Sequence, residues 1–189
     1  MEYKTAIILC GGKGTRLGSI AKKLPKTLVK IQNKEILWYI INFLKTKKFN
    51  HFILPLGYKS NLIRKYIKKN NSFGTNIDLI NTGINSNIGK RIYKVIKQIR
   101  SEHLLILNGD AIFNFDIKKI FNKHMKENYD ATFLSAESKY QFGTIIVRRF
   151  QFLFGFFGFF GFSQKIMVGW MSERWASGSR SGAGSGSGM

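Results

Sequence analysis

Four consecutive apolar residues, Ala6-Ile7-Ile8-Leu9, run directly into Cys10-Gly11-Gly12-Lys13-Gly14-Thr15-Arg16-Leu17. The apolar run has the make-up of a strand buried on both faces, as in a parallel sheet, so the chain is expected to be α/β. The glycines that follow allow a sharp turn and a close approach of backbone to ligand. Gly11, Gly12 and Gly14 can aim N–H groups into one concavity. Lys13, Arg16 and, beyond Pro25, Lys26 add charge suited to a triphosphate, and Thr15 adds a hydroxyl donor.

Two common phosphate motifs do not fit. The Walker pattern requires Gly-x-x-x-x-Gly-Lys-Ser/Thr, whereas Lys13 precedes Gly14 and no glycine stands five residues before Gly12. The dinucleotide fingerprint requires a glycine where Leu17 stands and an acid closing a second strand about 20 residues on. Glu35 is near that spacing but opens a helical pattern.

The 189 residues, 44% of them hydrophobic, suit one domain with a real core plus a tail. A formal charge of +21 would suit nucleic acid, an anionic surface or phosphorylated substrates. Most lysines, among them Lys65, Lys68, Lys69, Lys118, Lys119, Lys123 and Lys126, interleave with Asn and Ile along helical patterns and read as solvated faces. No aromatic-basic RNA motif accompanies them, so no nucleic-acid partner is expected. The single cysteine, Cys10, excludes an internal disulfide and points to a reducing cytoplasm. It reads as small-residue packing rather than a nucleophile. The amino terminus is too short in apolar residues for a signal peptide.

Along the chain, the periodicity predicts strands over Tyr3–Leu9, His51–Leu56, Asn76–Asn81, Leu104–Leu107, Asp130–Ser135 and Phe142–Val147. Thr27–Ile31 reads as a short extended stretch and Asn33-Lys34 as a turn. Helices are expected over Glu35–Lys48, Asn61–Lys69, Arg91–Ile99 and Ile117–Glu127, the third opened by a small-residue loop from Thr82 to Arg91. Pro25 fixes the backbone just before Lys26, one way to hold a lysine over a phosphate. The buried strand ending at Leu107 delivers Asn108-Gly109-Asp110 to its carboxyl end. An acid there is a helix cap or a metal ligand. Five residues separate Asp110 from Asp116, which is better placed to cap, so Asp110 is assigned to magnesium. His51 reads as the first residue of a strand rather than a ligand.

After Val147 the composition changes. Phe150 to Phe162 is a run rich in Phe and Gly, and Ser177 to Met189 is almost entirely Ser and Gly. The 13-residue run is short for a membrane span, which needs about 20 residues, so no membrane partner is expected. The expected division is a domain over 1–147, an aberrant Phe/Gly-rich segment over 148–176 and a flexible tail over 177–189. A frameshift, a misjoined frame or an artificial extension would account for the change.

Gly11-Gly12-x-Gly14-Thr15-Arg16-Leu17, Pro25-Lys26 and Asn108-Gly109-Asp110, in this order, resemble the sugar-1-phosphate nucleotidyltransferases over about residues 1–147. The resemblance implies a Rossmann-like, three-layer, glycosyltransferase-A-like domain with a mixed, mostly parallel sheet, its carboxyl-terminal part missing or replaced. Ile36-Leu37-Trp38-Tyr39-Ile40, Leu56-Gly57-Tyr58-Lys59 and Thr82-Gly83 with Ser86 and Gly89-Lys90-Arg91 look like the branch that joins CTP to glucose 1-phosphate. Guanylyl and thymidylyl relatives usually carry Pro-Leu-Gly-Thr in the Thr82–Arg91 segment.

The family's reaction is in-line attack of a sugar 1-phosphate oxygen on the α-phosphorus of a nucleoside triphosphate, with release of pyrophosphate. The nucleophile is already an anion, which suits a motif set without a Ser/His/Asp triad. By resemblance, Leu9, Cys10, Gly11, Gly12, Lys13, Gly14, Thr15 and Arg16 form the nucleotide loop, with Arg16 on the phosphates. Lys26 neutralises the reacting phosphate, Ser86, Arg91 and Gly109 contact the nucleotide, and Asp110 holds Mg2+. A second aspartate and a sugar-binding half, expected after Val147, are missing, so the alternatives are a guanylyl- or thymidylyltransferase of the same family or a nucleotide-binding fragment without catalysis. A homo-oligomer is compatible with either.

Overall fold

The apolar run forms β1 (Thr5–Leu9), with Ala6, Ile7 and Ile8 fully buried. In a computed structural model, which describes residues 5–14, 19–99, 101–112, 114–134 and 165–169, this strand lies inside a parallel sheet. In chain order the other elements are α1 (Ser19–Lys23), a 3-10 turn (Lys26–Leu28), β2 (Lys30–Ile31), β3 (Lys34–Glu35), α2 (Ile36–Thr46), β4 (His51–Leu56) and α3 (Ser60–Lys69). There follow a second 3-10 turn (Asn71–Gly74), β5 (Asn76–Asn81), α4 (Ile88–Ile96), β6 (His103–Asn108), α5 (Ile117–Lys126), β7 (Ala131–Leu134) and β8 (Lys165–Gly169).

The six-stranded sheet has the order β5-β4-β1-β6-β8-β7, and every pairing that joins these strands is parallel. From β1 the chain winds outward through β4 to β5, then returns to place β6 on the other side of β1. The order reverses between β1 and β6, and ligands bind open α/β sheets at the carboxyl ends of strands beside such a reversal. Side chains alternate across the sheet. Ala6, Ile8, Phe52, Leu54, Leu105 and Leu107 pack under α2, α3 and α5, while Ile7, Ile53, Leu104 and Ile106 meet Val95 and Ile96 of α4. The chain is therefore a helix–sheet–helix sandwich, as the α/β expectation required.

Several local expectations are corrected. The stretch from Thr27 is not extended at first. Leu28 N–H donates to Pro25 O at 2.9 Å, which tightens Lys26–Leu28 into a 3-10 turn, and pairing begins only at Lys30. A short helix, α1, occupies the basic stretch before Pro25. Helix α4 starts at Ile88 rather than Arg91, because the Asn87 side chain accepts from Lys90 N–H and caps it three residues earlier. The sheet also reaches beyond residue 147: Lys165–Gly169 is inserted between β6 and β7. The strand expected over Phe142–Val147, the Phe/Gly run and the Ser/Gly tail lie outside the described residues.

Pro55 sits in β4, in the sheet's interior, and its place is explained by the ladders. The pairing of β4 with β1 ends at Ile7 and Ile53, while its pairing with β5 continues to Leu56 and Asn81. The ring that lacks an N–H thus falls past the last β1 pairing. Beyond it the ends of β1 and β4 need another connection. All three histidines lie at the opposite edge: His51 and His103 open β4 and β6, and His124 of α5 packs on His103 with ring centres 5.5 Å apart. His51 bridges Thr5 Oγ1 at 3.1 Å and Asp78 Oδ2 at 2.8 Å, joining three strands as a structural residue. Among the described residues no helix is long and apolar enough to cross a membrane.

Candidate active site

The missing connection between β1 and β4 is made by a side chain. Arg91, on the same face of α4 as Val95, is 4% exposed and extends its guanidinium between the two strand ends. Nη1 donates to Leu56 O at 3.2 Å and Thr82 Oγ1 at 2.6 Å; Nη2 donates to Gly11 O at 2.8 Å and Ile84 O at 3.3 Å. Burial lowers the pKa of Arg91, yet a guanidinium stays charged at neutral pH, and these oxygens replace its water. The glycines around it are explained by this contact. A Cβ on Gly11 would overlap the guanidinium, and one on Gly57 would lie 2.6 Å from Gly11 O. Gly11 O also accepts from Tyr58 N–H at 3.2 Å.

The rest of the loop faces outward. Gly12 and Lys13 are exposed, a Cβ on Gly12 would meet nothing within 4 Å, and Gly14 has a φ of 62°, in the left-handed region that favours glycine. Thr15, Arg16 and Leu17 lie outside the described residues. Leu9 and Cys10 lead into the loop, and the Cys10 thiol is buried. Burial, reinforced by the negative charge of Asp110, pushes the thiol pKa far up, against the pull of the Thr27 hydroxyl. A protonated, enclosed sulfur is a packing group.

Lys26 and Asp110 are brought together from distant parts of the chain. Pro25, at φ −66° and ψ 147°, leads into the 3-10 turn, whose Thr27 and Leu28 are buried and anchor it. Gly109 allows the close approach: a Cβ there would stand 2.7 Å from both Leu9 O and Thr27 Cγ2. Its N–H donates to Leu9 O at 3.2 Å, tying the end of β6 to that of β1. Held so, Lys26 Nζ donates to Asp110 Oδ2, with both side chains about one-third exposed. The pair stands at the strand-order reversal.

Ser86 lies farther along the same edge and donates its hydroxyl to Thr82 O. Lys59 has a φ of 51° at the start of α3, and its Nζ donates to Lys22 O, fastening α1 to the turn after β4. The supporting roles of Gly57, Thr82 and Lys59 were not read from the sequence. Gly57 follows a proline-containing strand, and the i,i+4 spacing of Arg91 with Val95 marks Arg91 as inward-facing; Thr82 and Lys59 carry no comparable signal.

One carboxylate at a strand tip is a suitable donor for magnesium delivered with a triphosphate, because that ion usually takes one or two carboxylates and fills its shell with phosphate oxygens and water. Among the described residues no group of three or more His, Cys, Asp or Glu side chains forms a cage for a metal.

A parallel sheet with a glycine loop and a Lys–Asp pair at its order reversal defines an α/β domain of the open, ligand-binding-edge class. Residues 5–149 match the nucleotidyl transferase family, and the chain belongs to that family. It is 34% identical over 145 residues to D-glycero-alpha-D-manno-heptose 1-phosphate guanylyltransferase of Aneurinibacillus thermoaerophilus, covering 76% of this chain and 63% of the relative. It is 32% identical over 162 residues to the probable glucose-1-phosphate cytidylyltransferase of Bacillus subtilis, covering 75% and 64%. The crystal structure of HddC from Yersinia pseudotuberculosis complexed with GMP-PN superposes with a TM-score of 0.58 at 30% identity, over 65% of this chain and 54% of that one. The chain thus spans less than two thirds of the length of these relatives.

Proposed function

We propose that the chain is the nucleotide-gripping part of a cytoplasmic sugar-1-phosphate nucleotidyltransferase. The observation that carries this reading is the meeting of Lys26 and Asp110 beside the glycine loop. The loop supplies outward N–H donors to a triphosphate, with Lys13 at its rim and Arg16 assigned to the phosphates. Asp110 would hold Mg2+, which supplies charge neutralisation on the phosphate oxygens when bound. Lys26 then has both its carboxylate and the phosphates within its reach, and it neutralises the charge that builds on the α-phosphoryl group.

A sugar 1-phosphate oxygen forms the new P–O bond to the α-phosphorus. The bond from that phosphorus to the α,β-bridging oxygen breaks, and pyrophosphate leaves with the electron pair. No proton need be removed from the nucleophile. CTP with glucose 1-phosphate is the pairing favoured by the Thr82–Arg91 segment, in which Ser86 lies beside the nucleotide. GTP with a heptose 1-phosphate has equal support from the relatives. The test is twofold. The chain is heated with CTP, GTP or dTTP and magnesium, and pyrophosphate is assayed after adding each sugar 1-phosphate. A raised melting temperature with pyrophosphate release supports the enzyme, and stabilisation without release supports a binding fragment. No shift with any triphosphate sinks both.

A further inference from the structure

Arg91 is buried at 4% exposure, its guanidinium engages acceptors on the ends of β1, β4 and β5, and no carboxylate pairs with it among the acceptors described. The connection to Gly11 has a directional consequence. In a trans peptide, the carbonyl of one residue and the N–H of the next point in opposite directions. Gly11 O is drawn inward by Arg91 Nη2 and Tyr58 N–H, so the N–H of Gly12 must point the other way, away from the guanidinium, and Gly12 itself is exposed. A cation behind the peptide also polarises it, which strengthens the N–H as a donor.

We propose that Arg91 is a positioning residue for the triphosphate: from behind the loop it fixes the Gly11–Gly12 peptide with its N–H toward the phosphates, without itself touching the nucleotide. This rests on the reading of the glycine loop as the phosphate site. Gly11, Gly57, Thr82 and Arg91 form one unit, in which the two glycines make room for the guanidinium and the Thr82 hydroxyl accepts from it while donating to Leu56 O at 2.7 Å. Thr82 is 0% exposed, so it cannot reach a ligand and reports only on the support.

The experiment measures binding of CTP, GTP and inorganic tripolyphosphate, each with magnesium, by calorimetry on the full chain and on Thr82→Val, Thr82→Ser and Arg91→Lys. Positioning predicts that Thr82→Val weakens all three ligands by the same factor, about threefold to tenfold, the size of one ordinary hydrogen bond felt through the support. Arg91→Lys, which cannot span the acceptors, weakens them at least as much, and Thr82→Ser restores wild-type affinity. A loss confined to one nucleotide, with tripolyphosphate unaffected, would show that Arg91 reads the base and overturns the proposal. Undiminished binding in Arg91→Lys overturns it too. If Thr82→Val does not fold, Arg91→Lys carries the same comparison. Failure of the unsubstituted chain to bind any of the three instead removes the phosphate-site reading on which the proposal stands.

Discussion

Lys26 and Gly109 show how one site can be damaged in two ways. Lys26→Ala removes a cation whose side chain is more than one-third exposed, so the melting temperature should hardly move, while pyrophosphate release falls by about 10²- to 10³-fold if the ammonium meets developing charge. Unchanged turnover in this substitution, made here or in a full-length relative, removes Lys26 from the reaction. Gly109→Ala should do the reverse first. A methyl 2.7 Å from Leu9 O and Thr27 Cγ2 must push the Lys26 turn away from β6, at a cost of about 1–3 kcal/mol visible in urea melts. Cys10 gives a pH signature. Its thiol pKa is raised on folding, so the native state keeps a proton that the unfolded chain loses above about pH 8.5, and stability must fall as pH rises past that point. Tyr66, raised by burial and by its hydrogen bond to Glu35, adds to the same decline at still higher pH. Melting Cys10→Ala from pH 7 to 10 should give a shallower alkaline slope than the parent; an identical slope would mean that the thiol is not buried in solution.

Helices α4 and α5 each begin at a side chain that accepts an N–H three residues on: Asn87 from Lys90 at 2.8 Å and Asp116 from Lys119 at 3.1 Å. Replacing either residue with Ala should cost about 1 kcal/mol in denaturant unfolding. Loss of the Asn87 cap should in addition weaken triphosphate binding, because α4 carries Arg91 to the loop. The two caps were not equally legible. Asp116 stands directly before an apolar-periodic stretch and marks its helix within a residue of the observed start. Asn87 is one polar residue in a run of small ones, so the sequence pattern marks the helix only from Arg91, three residues after its observed start. Strands β4 and β5 were legible to the residue because apolar runs bounded by Asn and Gly leave little choice of register. The turn at Lys26–Leu28 was not, since Thr27-Leu28-Val29 has β propensity and the Pro25 and Lys26 carbonyls, accepting from Leu28 and Val29 N–H, bend it. Strand β8 escaped because Lys165–Gly169 follows a Phe/Gly run that hides any alternation.

At the scale of the molecule, the motifs assigned to phosphate chemistry are legible in the sequence, whereas the bracing behind them is not. Glycine, lysine and aspartate motifs are local and survive in one dimension. The bridge from Arg91 across three strand ends exists only once the sheet is formed. The +21 charge belongs to this scale as well. So large a positive charge should hasten the arrival of polyanions at the proposed phosphate-binding edge, and the association rate of a magnesium triphosphate is predicted to drop several-fold between about 0.05 and 0.5 M salt, with a much smaller change in dissociation. Stopped-flow mixing would separate the two. An insensitive association rate would mean that the charge serves some other purpose.

The segregation of every imidazole to the rim farthest from the glycine loop has a kinetic corollary. No histidine stands at the edge proposed for the reaction, so between pH 5.5 and 8 the rate should report the acceptor rather than an imidazole of the protein. It should rise along a single ionisation curve, centred near the second proton of a phosphate monoester at about pH 6, and then stay level.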